Sequence, residues 1–140
     1  MRKLLAAAFV TAAMLAPQAA SAQALAGTWT GIVTQTFTDG REVSFTAMVS
    51  FTPGGPVLIA YPSDACGGTL VPMAMKGSPT YREEISYGLD ICVTGGTVTL
   101  TLAGDTLEYH WMSQGNGEAV GTLRRTDKAI PPEHPEAAVG

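Results

Sequence analysis

Asp39-Gly40-Arg41-Glu42-Val43-Ser44-Phe45-Thr46-Ala47-Met48-Val49-Ser50-Phe51-Thr52 is the stretch on which the fold turns. Val43, Phe45, Ala47, Val49 and Phe51 are apolar, and Glu42, Ser44, Thr46 and Ser50 between them are polar. A period of two places these sets on opposite faces of an extended chain, as in a strand with one buried face. Asp39-Gly40 supplies residue types that accept the positive φ of a two-residue hairpin turn. Residues 28–38, rich in threonine, valine and aromatics, are the natural hairpin partner.

The same grammar continues downstream. Pro53-Gly54-Gly55-Pro56 ends the second strand, and further strands are expected at 57–61, 69–76, 80–87, 96–103, 106–112 and 118–125. Pro72 lacks a donor and should make the fourth strand irregular. Turns are expected at Gly77-Ser78-Pro79, Gly104-Asp105 and Gln114-Gly115-Asn116-Gly117, and longer loops at 62–68 and 88–95. No helical period interrupts the series. Sequential strands with short turns predict an all-β fold, an eight-stranded antiparallel up-and-down barrel, because closure removes both exposed edges. An open sandwich of two sheets is the alternative.

Composition bounds the function. With 140 residues, 46% hydrophobic and 14% charged, the chain has the make-up of one folded domain. A net charge of −4 argues against a nucleic-acid partner and against adhesion to anionic membranes. Arg2 and Lys3, the apolar run from Leu4 to Leu15, and Ala20-Ser21-Ala22 form the pattern of a cleavable signal peptide. The expected division is a signal over 1–22, a barrel domain over 23–127 and a disordered Pro-rich tail over 128–140. Export to the periplasm or beyond the cell is expected, with no membrane insertion after cleavage.

Export also bears on Cys66 and Cys92, which should form a disulfide in an oxidising compartment. Topology agrees. In a meander, the loops after the third and fifth strands lie at the same end of the barrel, within bridging reach. Closing a loop of about 27 residues contributes about 3.5 kcal/mol in the chain-entropy description.

Gly27-Thr28-Trp29 resembles the Gly-x-Trp signature of lipocalins and other calycins. The resemblance implies that Trp29 closes the barrel floor under an arginine of the last strand, Arg124 or Arg125. A longer pattern runs through Tyr61-Pro62-Ser63, Cys66-Gly67-Gly68, Tyr81, Glu83, Gly88, Cys92, Gly96 and Leu107 to Trp111. It is similar to a small exported bacterial domain of uncharacterised function, also found in the extracellular part of some membrane-bound Ser/Thr kinases. That similarity implies ligand sensing or binding rather than catalysis.

The candidate sites follow from alternation. Glu83 shares a face with Tyr81, Ile85 and Tyr87, so inward tyrosines would carry a carboxylate into the barrel. The cysteine-end loops are the longer ones, and Phe37, Tyr61, Tyr87 and Trp111 stand at strand ends facing them. The expected ligand-binding rim is therefore Tyr61, Asp64, Tyr87, Asp90 and Trp111. His110 alternates with Tyr109 and Trp111 and should face outward, and Glu108 with His110 offers too few ligands for zinc. No cofactor or metal is expected. The leading expectation is an exported module engaging a small molecule, glycan or peptide at this rim. An inhibitor of an exported hydrolase is the alternative, and an enzyme stands third because no catalytic constellation is visible. A hollow cysteine end would favour the first reading, and a filled barrel with a protruding loop the second.

Overall fold

The computed structural model describes residues 22–73 and 79–131. The expected signal segment up to residue 21, the end of the expected fourth strand at 74–76, the turn at 77–78 and the tail from 132 lie outside the described residues. Eight strands follow in chain order: β1 (Gly27–Thr36), β2 (Glu42–Phe51), β3 (Val57–Tyr61), β4 (Cys66–Pro72), β5 (Thr80–Tyr87), β6 (Thr97–Ala103), β7 (Thr106–Ser113) and β8 (Gly117–Thr126). Each pairs antiparallel with the next, and β8 pairs back onto β1, so the sheet closes into an up-and-down barrel.

Closure follows from the alternation. Val33 of β1, Ala47 and Val49 of β2, Val98 and Leu100 of β6, Leu107 of β7 and Leu123 of β8 all point inward and are fully buried. Each buried leucine or valine contributes about 1.5–3 kcal/mol relative to exposure. Their polar neighbours, including Thr101, Glu108 and Thr122, face out.

The lower end is sealed. Trp29 is completely buried, and its indole Nε1 donates to the Leu25 carbonyl at 2.9 Å. Leu25 belongs to a single helical turn, α1 (Ala22–Leu25), which the strand reading did not foresee. The arginine over Trp29 is Arg125, with its guanidinium 4.3 Å from the ring centroid. Arg125 also donates to the carbonyls of Ala24 and Ala26. Arg124 is not that residue. It is exposed and stands opposite Thr30 and Thr106, because β8 alternates inward at Leu123 and Arg125.

Two further corrections concern the cysteine end. Residues 62–68 are not one loop: Pro62–Asp64 form a 3₁₀ turn, and β4 begins at Cys66, opposite Tyr61. Gly67 and Gly68 read as turn punctuation, yet they are strand residues. A Cβ on Gly68 would stand 1.9 Å from the Glu84 carbonyl oxygen, so close strand approach requires glycine there. The expected disulfide is present between Cys66 and Cys92, with Cα atoms 6.3 Å apart.

Candidate functional site

The barrel interior divides at the level of Glu83. Below, the aliphatic core fills it. Above, a cavity of about 340 Å³ opens among the loops of the disulfide end. Glu83 lies at this boundary. Its side chain is 2% exposed and contributes to the cavity wall. Its backbone is held on both sides of the residue: Glu83 N–H donates to the Gly96 carbonyl, and Gly95 N–H donates to the Glu83 carbonyl, both at 2.8 Å.

Two side chains from other strands meet the carboxylate, and a third backs one of them. Tyr61, the last residue of β3, donates its hydroxyl to Glu83 Oε2. Trp111 of β7 donates its indole N–H to Oε1 at 3.1 Å. Tyr109, two residues earlier on the same face, meets the Tyr61 hydroxyl at 2.7 Å. With Glu83 ionised, the single proton of Tyr61 is committed to Oε2, so Tyr109 must donate to Tyr61. Gly96 makes room for this arrangement, since a Cβ there would stand 2.3 Å from the Trp111 indole nitrogen.

The electrostatics follow from burial. Loss of water pushes the Glu83 carboxyl up to about 7, and the bonds from Tyr61 and Trp111 work against that rise. Burial likewise raises both phenols well above the usual tyrosine value, with the Glu83 charge adding to it. Tyr61 and Tyr109 therefore stay protonated as donors across the physiological range.

Of the rim expected from sequence, Tyr61, Asp64 and Trp111 line the cavity, as does Phe37. Tyr87 and Asp90 are not among its walls. The pairing of β4 with β5 shifts register between Gly67 and Gly68, which face Tyr87 and Ile85 and leave Ser86 as an extra residue. Such a bulge re-aims the side chain beyond it, and the Tyr87 hydroxyl comes to lie against Gly67. Asp90 is exposed in the loop carrying Cys92.

Val43, Phe45, Ile91, Val93 and Tyr109 line the cavity without having been singled out. Val43, Phe45 and Tyr109 carried a signal: each continues an inward alternation past the level where the aliphatic core ends. Ile91 and Val93 carried none, because their loop follows no period. His110 lies on the outer wall, with Nε2 3.0 Å from a Glu118 carboxylate oxygen, and Glu108 accepts from the Thr122 hydroxyl. Among the described residues, no group of three or more His, Cys, Asp or Glu side chains could hold a metal ion.

Fold and site together define a closed, disulfide-braced, eight-stranded up-and-down barrel, filled at one end and hollow at the other, compatible with a calycin-like build. No protein-family model matches the chain, and no curated protein or solved structure matches it.

Proposed function

We propose that the chain is an exported, calycin-like binding module that takes a small, largely apolar ligand into the cup at its disulfide end. The observation that carries this reading is the cavity of about 340 Å³ ending on a buried carboxylate. Its size lies at the small end of the roughly 300–1,000 Å³ of ligand sites, and apolar walls with few convergent polar groups are what such sites have. The disulfide and the 3₁₀ turn brace the two loops flanking the mouth, which lowers the ordering cost of binding. Export is supported by the disulfide. The stack of Arg125 on Trp29 supports the calycin resemblance.

One observation favours the inhibitor reading. Leu89, Ile91 and Val93 on the disulfide-tied loop are 58%, 63% and 42% exposed, an apolar edge that could enter a hydrolase cleft. Backbone amide NMR separates the two readings. Titrating the oxidised exported chain with small amphiphiles should move resonances of Phe45, Val93, Tyr109 and Trp111. Shifts confined to the outer wall would remove the cup reading. Binding of an exported hydrolase that leaves the cup resonances still would establish the inhibitor instead.

A further inference from the structure

We propose that the cup selects organic ammonium ions, an apolar body whose positively charged nitrogen seats against Glu83. This deepens the binding reading above and rests on it. The argument starts from charge. Glu83 at the bottom and Asp64 near the mouth are the charged groups lining the cavity, and no Lys, Arg or His lines it among the described residues. The cation at the rim is Arg41, which stacks on Phe37 at 4.7 Å and is paired with Asp39 at 2.9 Å. It is committed outside the cup.

The Glu83 hydrogen bonds point the same way. An ionised carboxylate offers about four acceptor positions, and Tyr61 and Trp111 take two of them. The donors around Glu83 are neutral, so a buried negative charge stands without a positive partner, an arrangement that is costly unless something supplies one. An ammonium group supplies both a charge and up to three donors. Tyr61, Tyr109, Trp111, Phe37 and Phe45 surround the same space with aromatic rings, whose faces attract cations. A carboxylate ligand would meet like charge. An alcohol would gain one bond and leave the charge uncompensated.

A proton competes with the ammonium ion for this seat. The groups facing Glu83 are the phenols of Tyr61 from β3 and Tyr109 from β7, with Asp64 the other acid in the cup. Both phenols are held protonated, so Glu83 is the group beside the ammonium seat whose titration falls near neutral pH.

Three probes with one body and different heads test the proposal: phenylbutylammonium, phenylbutanol and phenylbutyrate, titrated by calorimetry and amide NMR. The ammonium should bind at least about tenfold tighter than the alcohol, and the carboxylate weakest. Glu83→Gln should bring the ammonium to within about threefold of the alcohol, while the alcohol itself changes little. Equal affinities for all three heads, with cup resonances moving, would overturn the ammonium assignment and leave the cup a ligand site. Failure of all three to move any cup resonance would instead overturn the binding reading. Should Glu83→Gln fail to fold by circular dichroism, the wild-type ranking decides, together with Asp64→Asn. Ammonium preference lost entirely in Asp64→Asn would place the seat at the rim and overturn the assignment to Glu83.

Discussion

The two ends of this barrel come from the same strands and the same alternation, yet one is solid and the other hollow. At the floor, Trp29 fills the lumen, Leu25 packs beneath the sheet, and Arg125 ties the preceding backbone with two hydrogen bonds. At the disulfide end, the inward positions include Phe45, Tyr61, Tyr109 and Trp111, which line the cavity. These side chains are large, but Tyr61 and Trp111 turn their polar tips onto Glu83, and Tyr109 turns its hydroxyl onto that of Tyr61. A core that must satisfy polar tips cannot also be close-packed everywhere, and the remaining volume is the cup. Hollowness here goes with side chains that hydrogen-bond one another across the lumen.

The largest expected effect breaks the solid end. Trp29→Ala should cost about 4 kcal/mol, since it removes a fully buried aromatic side chain and leaves a void beneath Arg125. Phe45→Ala at the hollow end should cost less than about half of that, because its half-buried ring already borders open space. Urea denaturation of the two variants measures the contrast. Equal losses would mean that the cup is closed over and packed in solution.

How far this contrast was legible in the chain depends on the residue. The alternation from Val43 to Phe51 specifies a half-buried strand by itself, and the parity of the turns puts Cys66 and Cys92 at one end. Glu83 was legible as an inward carboxylate by parity with Ile85. Its partners were not, because Tyr61 and Trp111 lie 22 and 28 residues away and no local pattern encodes a contact across a lumen. Tyr87 failed for a local reason. One extra residue in β5 cancels the alternation that had placed it in the rim, and a bulge leaves no mark in hydrophobic periodicity. Arg124 and Arg125 are adjacent, and only the register of β8 against β1 assigns the stack to the second.

A second prediction sharpens the comparison through pH. Burial holds the folded Glu83 carboxyl at about 7, above its ordinary 4.5. A carboxyl raised by folding binds its proton more tightly in the folded state. Its contribution is complete below the unfolded value and is lost as pH climbs through the folded one. The chain should therefore lose about 3 kcal/mol from this group between about pH 4.5 and pH 7, with little further change above. Denaturation midpoints of wild type and Glu83→Gln across that window check this, and the variant should show a flatter profile. Saturating phenylbutylammonium should reduce the wild-type loss, because it favours the ionised carboxylate. A wild-type profile that rises with pH across the window, relative to Glu83→Gln, would refute the assignment of this titration to the hollow end.

The smallest expected effect separates the bottom of the cup from its rim. Asp64 lines the mouth and is partly exposed, whereas Asp90 is exposed and lies off the wall. A rim charge attracts a cation through water and is screened by salt, while a buried one is screened far less. Asp64→Asn should therefore weaken phenylbutylammonium binding by about two- to threefold at low salt, an effect that shrinks as salt is added. The contribution of Glu83 should persist at the same salt. Asp90→Ala should leave the affinity within about twofold at any salt, since nothing seats a ligand beside it. Neither change should alter stability, so calorimetric titration of the folded variants reads binding alone. If Asp90→Ala costs more than Asp64→Asn, the loop between Gly88 and Gly96 folds over the bound ligand and carries Asp90 to it. The hollow end would then be a chamber closed by its own disulfide-tied loop, and the likeness between the two ends would be restored on binding.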